Sequence, residues 1–402
     1  MPPIGMRAFS SLIVPPSSRN LPAMQTRSQI AEETARALME NSVRLRENAA
    51  SSHRAVLGFD GFVDDITEVV AQRQSADRYE RMTSMTQLAH VLSSTAGHGC
   101  NVELVVKKQK LGGNGPIMGF ALATLGVNVT YIGAVGNGPP PAVHPVFEEF
   151  AARAMVIPIT DAARTQALEF SDGKLMMGQL APLAEITSQR LIERVGLDKL
   201  ISYYEQSSLI GLLNWNMLPH ATALWKFLGE SIFPKLSSRP RRVFVDMADP
   251  KKRPADLPAA LAVLSAINRM IPVTLGLNHS EAAQVATALK LSSSAPVVQL
   301  AADIRDTLAL DTVVVHPSQG AAAAMHDTSA EFAGPFIKEP AILTGGGDHF
   351  NTGFALGQML ELPLQNILCL ATATSGYYVR HAASPAAAQL AEFLLNLPDP
   401  QR

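Results

Sequence analysis

Apolar runs that do not alternate with polar residues recur along the chain, each followed by a stretch of helical periodicity. "AVLGFD" (55–60), "VTYIGAVG" (129–136), "LIGLLN" (209–214), "RVFVDM" (242–247), "VTLGLN" (273–278) and "TVVVHP" (312–317) read as short strands buried on both faces. Helical patterns occupy 30–50, 85–96, 118–126 with its close at Gly126, the surroundings of Trp225, 255–270 and 280–290, and three further helices end the chain. Strand, helix, strand units of this kind build a parallel sheet covered by helices. One stretch breaks the rhythm. "TQALEFSDGKLMMG" (165–178) alternates about "SDG" and predicts a hairpin with no helix beside it. With the strand-like "NVELVVKK" (101–108) it predicts a small sheet over the rim of the main one.

Composition narrows the class without choosing a function. The 402 residues are 47% apolar and 17% charged, and no uninterrupted apolar run approaches the roughly 18 residues that cross a bilayer. Thirty-three basic against 35 acidic residues give a formal charge of −2, which supplies no global field for nucleic acid or anionic lipid. No membrane or nucleic-acid partner is expected. Cys100 and Cys369 lie far apart and in no metal-binding spacing, so both read as buried small hydrophobes of a reducing, cytoplasmic compartment. Residues 1–31 carry Arg7, Arg19 and Arg27 and no acidic residue, a composition shared by organelle transit peptides and by disordered tails. Pro2, Pro3, Pro15 and Pro16 would break a presequence helix, and Met24 offers an alternative start.

In an open α/β sheet, ligands sit beyond the carboxyl ends of strands, so the residues after each strand carry the chemistry. Thr344, Gly345, Gly346, Gly347 and Asp348 precede an apolar helix expected over 350–360. A glycine-rich turn entering a helix aims unpaired N–H groups and the positive dipole end at one point, which suits phosphate or a transferring phosphoryl group. Asp348 beside it can accept a proton from an attacking hydroxyl. Read alone, the same residues also describe a capped turn. No Gly-Lys-Ser/Thr follows, so this is not a Walker loop, and it is not a GxGxxG fingerprint.

Three more strand ends stand out. "LNHSE" places Asn278 at an N-cap and Glu281 at the third helical position, a capping box or a carboxylate reaching magnesium through water. "LGGNGPIMGFALATLG" offers Gly112, Gly113 and Gly115 for close backbone approach and Asn114 as both donor and acceptor, as sugar hydroxyls require. "GFDGFVDDI" sets Asp60, Asp64 and Asp65 after the first core strand, either to grip vicinal hydroxyls or as a solvated acidic turn.

The order of these turns, with the strand-turn-strand "VVVHPSQGAAA" (313–323) between the last two, resembles the ribokinase-like carbohydrate kinases of the phosphofructokinase-B type. The resemblance covers 54 to about 383, and "TGGGDHFNTGF" is its most specific part. It implies a ribokinase-like three-layer α/β/α sandwich with a central, mostly parallel sheet and a small β-sheet lid. One kinase domain would span 30–398, with lid segments near 61–70, 100–110 and 163–180 and an extension over 1–29.

By position, the resemblance makes Asp348 the catalytic base and the backbone N–H groups of Gly345, Gly346, Gly347 and Asp348 the anion hole. Asn278, Glu281, Gly320, Thr344 and Asn351 would meet ATP and its magnesium, Glu281 through water. Gly112, Gly113 and Asn114 would face the substrate, with Asp60 or Asp64 holding its hydroxyls. The lid would close over a small sugar-like acceptor and exclude water, and lids of this family also mediate dimerisation, so a homodimer is implied.

The sequence departs from the family at four places. Ile342 and Leu343 replace an Asp-Thr pair in a stretch associated with a monovalent-cation site, Ile117 replaces an Asn, and Asn137 an Asp. The acceptor therefore stays open among sugars, amino sugars, sugar phosphates and nucleosides, and Lys107, Lys108 and Lys110 on the lid could meet a phosphorylated one. Two other readings stay open as well, an ADP-dependent sugar kinase of the same fold and a non-catalytic binding protein, whereas the absence of GxGxxG after the first strand disfavours a dinucleotide-dependent oxidoreductase.

Overall fold

The computed structural model describes residues 25–47, 53–326 and 328–401. The segment expected to be an N-terminal extension lies outside these residues up to position 24. The strands are β1 (Arg54–Gly58), β2 (Phe62–Arg73), β3 (Tyr79–Arg81), β4 (Leu104–Gly112), β5 (Asn128–Asn137), β6 (Ala142–Val143), β7 (Met155–Asp161), β8 (Ala163–Glu169), β9 (Lys174–Gln179), β10 (Leu209–Leu213), β11 (Arg242–Asp246), β12 (Val273–Asn278), β13 (Thr312–His316), β14 (Gly320–Met325) and β15 (Thr328–Ala333). The helices are α1 (Arg27–Glu47), α2 (Met85–Ser94), α3 (Asn114–Thr124), α4 (Glu148–Ala151), α5 (Ser188–Val195), α6 (Leu197–Gln206), α7 (Ala221–Phe227), α8 (Leu257–Asn268), α9 (His279–Ala288), α10 (Val297–Leu308), α11 (Gly346–Met359), α12 (Leu364–His381) and α13 (Ala387–Leu395).

The main sheet runs β15-β14-β13-β12-β11-β10-β1-β5-β6, with β7 also on β5. Its centre is parallel from β5 through β13, and the edges turn antiparallel at β6, β14 and β15. Successive side chains of a strand point to opposite faces, and both faces here are apolar. Ile210, Leu212, Val243, Val245, Val313 and Val315 pack under α5 to α10. Leu209, Leu213, Phe244 and Val314 pack under α1, α3 and α11 to α13. That two-sided burial is why these strands read as unbroken apolar runs. The three layers are those of a ribokinase-like α/β/α sandwich.

The second sheet has the order β3-β2-β8-β9 with β4 on β2, and α2 covers one side of it through Val69, Met82, Leu88, Leu168 and Phe170. The stretch 58–66 is mostly strand and not an acidic turn. Asp64 and Asp65 sit inside β2, paired with Lys110 and Gln109 of β4. The strand expected at 101–108 begins later, at Leu104, and runs on to Gly112, because its partner β2 lengthens the ladder toward the main sheet. The chain enters α3 at Asn114 rather than 118 and α11 at Gly346 rather than 350, so Gly115, Gly346 and Gly347 lie inside the helices they were expected to precede, with Gly113 and Gly345 as the caps. Helix α1 starts at Arg27, whose guanidinium donates to the carbonyl of Pro398 at 2.7 Å. Cys369 is buried as expected, whereas Cys100 is exposed because it lies in the loop between α2 and β4. No described helix is long and apolar enough to cross a membrane.

Candidate active site

Parallel strands deliver their last residues to one edge. Asp246 pairs in register with Gly276 and Asn278 with His316, so the ends of β11, β12 and β13 stand side by side, with Asp60 and Asn214 just past β1 and β10. Onto this edge the lid brings Asp64, and the starts of α3 and α11 bring Asn114 and Asp348. A polar cleft of about 290 Å³ results, walled by Asp64, Gly113, Asn114, Asn278, Glu281, Thr344, Gly345, Gly347 and Asp348, together with Ile117, Asp246 and His316. A second, largely apolar cavity of about 310 Å³ adjoins it. The two share Asn278, His316 and Gly347, and the second is lined further by Gly320, Gly346, Phe336, Ile337, Phe350 and Val379.

Asp348 lies in the first turn of α11 and is buried. Gly345 caps this helix with φ 95°, a left-handed conformation that glycine adopts without strain. The N–H of Gly346 donates to the Leu343 carbonyl at 3.2 Å, while those of Gly347 and Asp348 make no backbone hydrogen bond among the described residues. Two unpaired donors at a helix start therefore flank the carboxylate. Burial holds the Asp348 carboxyl well above the ordinary range, the charges of Asp246, Asp60 and Glu281 push the same way, and a hydrogen bond from Asn114 opposes them.

Asp246 is buried at the cleft floor and accepts from Asn351 Nδ2 at 2.8 Å, Asn114 Nδ2 at 3.4 Å and the Ala248 N–H at 2.7 Å. Burial raises its pKa against those bonds. Glu281 completes the expected capping box: its carboxylate accepts from the Asn278 N–H at 2.8 Å, and its own N–H donates to Asn278 Oδ1 at 3.0 Å. Burial and then the Asp246 charge push Glu281 up to about 8. Asp246, Glu281 and Asp348 thus bring three carboxyls to the wall of one cleft.

On the acceptor side, Asp64 packs against Gly112 so closely that a Cβ there would stand 2.4 Å from its carboxylate. Burial raises the Asp64 pKa against Lys110, Thr165 and Lys174. Asp60 takes a different place from Asp64. It is fully buried behind the cleft, where Asn214 Nδ2 donates to it at 2.6 Å, the Gly115 N–H at 3.0 Å and the Tyr131 hydroxyl at 3.3 Å. Burial lifts its pKa to about 6 against these bonds. Asn351 likewise faces Asp246 and not the open cavity, and its Oδ1 has no partner among the described residues.

Asp246 and His316 were not singled out from the sequence. Both end apolar strands, "RVFVD" and "TVVVH", so the strand-end rule that found Asn278 reaches them too. His316 is stacked on Phe350 at 4.4 Å, and burial pushes its pKa down to about 4, so it lines both cavities as a neutral ring.

Solved structures share this architecture at low identity. Phosphofructokinase-2 from Escherichia coli, solved as a mutant, is 14% identical with a TM-score of 0.59, covering 86% of this chain and 98% of that chain. Ribokinase from Cryptococcus neoformans var. grubii, solved with ADP, is 15% identical with a TM-score of 0.56, covering 84% and 98%. A curated ketohexokinase from Haloferax volcanii is 28% identical over 343 residues, 85% of this chain and 90% of the relative. The fold and the relatives define the class: this is a carbohydrate kinase with the ribokinase-like architecture. More narrowly, residues 30–396 match the model of the prokaryotic ketohexokinase family, and the chain belongs to that family.

Proposed function

We propose that this kinase transfers the γ-phosphoryl of ATP to a hydroxyl of a ketohexose, with Asp348 as general base. The observation that carries the reading is Asp348 in the wall of the polar cleft beside Gly347, which lines both cavities, with the N–H groups of Gly347 and Asp348 left without a backbone partner among the described residues at the helix start. The apolar cavity suits a nucleobase and ribose near Gly320 and Phe336, and the polar cleft suits a polyol. Asp348 takes the hydroxyl proton as the new oxygen–phosphorus bond forms and the bond to the β-phosphate oxygen breaks, releasing ADP. The raised pKa makes the ionised Asp348 a stronger base, and a cation on the acidic floor would favour that ionised form. The N–H groups of Gly347 and Asp348 face the charge on the transferring group.

Magnesium fits the acidic floor. Its donors there are oxygens only, Glu281 with Asp246 and Asp348 nearby, and each carboxyl is pushed upward by the others' charge or by burial. Among the described residues no group of three or more acidic, histidine or cysteine side chains is gathered to hold a metal ion, so waters and phosphate oxygens would have to complete the coordination. When bound, magnesium would offset negative charge on the phosphates. Asp64 and Asn114 would grip the acceptor hydroxyls from the lid and from α3. Asp60, behind them, would set the α3 entry through the Gly115 N–H. The exposed Leu104, Val106, Met176 and Met177 of β4 and β9 would supply the apolar part of a lid-mediated homodimer.

A coupled nucleotide-consumption assay over ketohexoses, aldohexoses, sugar phosphates and nucleosides, with ATP and ADP as donors and Asp348→Asn as the blank, tests the reading. Turnover with a ketohexose and ATP supports it. Turnover confined to ADP, or to a phosphorylated or nucleoside acceptor, overturns it.

A further inference from the structure

The turn before Asp348 is held from its far side by two aromatic residues. Thr344 and Gly345 wall the polar cleft, whereas His349 and Tyr378 line a separate cavity of about 580 Å³ bounded also by Ile342 and Ser384. The Tyr378 hydroxyl donates to the Thr344 carbonyl at 3.0 Å. The buried His349 ring places Nδ1 2.7 Å from the Gly345 carbonyl and Nε2 2.9 Å from the Ser384 hydroxyl. A carbonyl only accepts, so Nδ1 carries the proton and donates, and Nε2 accepts from Ser384. The two rings stack with centroids 3.6 Å apart and planes 13° apart, so neither can swing without the other.

We infer that His349 and Tyr378 are positioning residues for phosphoryl transfer, clamping the Thr344 and Gly345 carbonyls and so fixing the turn from which the N–H groups of Gly347 and Asp348 project toward the transferring group. A trans peptide carries its C=O and N–H on opposite sides. Drawing the Thr344 carbonyl toward Tyr378 therefore turns the Gly345 N–H away from that cavity, and the Gly345 carbonyl, which also accepts the His349 backbone N–H at 3.0 Å, is held to the first turn of α11 that carries Gly347 and Asp348. Gly345 has no side chain to fix this turn and sits at φ 95°, so the clamp replaces what a Cβ would otherwise restrict. A Cβ at Gly345 would also stand 2.9 Å from the Tyr378 hydroxyl, so glycine and clamp fit each other.

The inference rests on reading the Gly345 to Asp348 turn as the phosphoryl site, and its test separates the two. Tyr378→Phe keeps the stacked ring and loses only the hydroxyl; His349→Phe keeps a ring and loses the donor; His349→Gln restores a donor. In steady-state kinetics, kcat should fall roughly 10-fold in Tyr378→Phe and up to roughly 100-fold in His349→Phe, below the cost of deleting an anion-hole donor because the donors remain and only lose aim. KM for sugar and nucleotide should stay within about twofold, and His349→Gln should recover part of the loss. Inhibition by ADP, magnesium and aluminium fluoride, a mimic of the transferring phosphoryl, should weaken in step with kcat while binding of ADP alone does not change. Wild-type kcat in Tyr378→Phe, or losses confined to KM, would overturn the inference. If His349→Phe fails to fold, Tyr378→Phe decides alone. Full activity in Asp348→Asn would remove the reading beneath it, whereas an inactive Asp348→Asn beside a fully active Tyr378→Phe removes the clamp only.

Discussion

Asn351 Nδ2 donates to Asp246 Oδ2 at 2.8 Å, tying the second turn of α11 to the end of β11. The bond fixes the helix that carries Asp348 against the strand edge that carries the acidic floor. It also meets part of the need of a buried carboxylate that no cationic side chain among the described residues reaches. Replacing Asn351 by Leu should cost about 1 to 3 kcal/mol, the penalty for leaving a buried acceptor short of a donor. Denaturant unfolding at pH 7 measures the loss, and unchanged stability would show that Asp246 finds other partners.

Glu281 gives a pH test with a definite sign. Its pKa rises from the ordinary 4.5 to about 8 on folding, so the folded state holds a proton that the unfolded state has lost between those values. Stability from this group is therefore greatest below about 4.5 and declines as pH rises to about 8. Glu281→Gln keeps the capping geometry and cannot ionise. Its stability relative to the parent should climb between pH 5 and 8, by at most about 1.4 kcal/mol per unit, and level off above. Parallel pH profiles for the two proteins would contradict the burial and repulsion described here.

Gly112→Ala tests the acceptor side. A Cβ at that position would stand 2.4 Å from the Asp64 carboxylate, so the carboxylate must move out of the cleft. KM for the sugar should rise, on the order of 10-fold for the loss of one well-placed hydroxyl contact, while KM for nucleotide changes little. Steady-state kinetics with each substrate varied in turn separates the two.

The strand-end pattern made most of this fold legible. Six apolar runs are core strands because a parallel sheet buries both of their faces, and charges stand only at their ends. The elements that went unread are those whose burial is one-sided or whose pattern is interrupted. Strand β7 carries Pro158 and pairs only with β5, and α5, α6 and α10 place charged residues among their apolar ones. Within the site, the turns at Asn114, Asn278 and Asp348 were visible as sequence, and the structure brings them to one cleft. The placement of Asp60 was not. Its partners Tyr131 and Asn214 lie 71 and 154 positions away, and only the fold shows that they occupy the carboxylate. Asp246 escaped notice because a single acid after an apolar strand has no motif around it, and Asn351, expected at the nucleotide, donates to it instead.

Asp348 is the residue on which the account stands or falls. Single-turnover kinetics of Asp348→Asn with ATP, magnesium and a ketohexose, beside nucleotide binding measured by calorimetry, tests it most directly. A fall in the transfer rate of roughly 10²- to 10⁴-fold with nucleotide affinity nearly unchanged is the predicted result. A variant that transfers phosphoryl at the parent rate would show that the proton goes elsewhere.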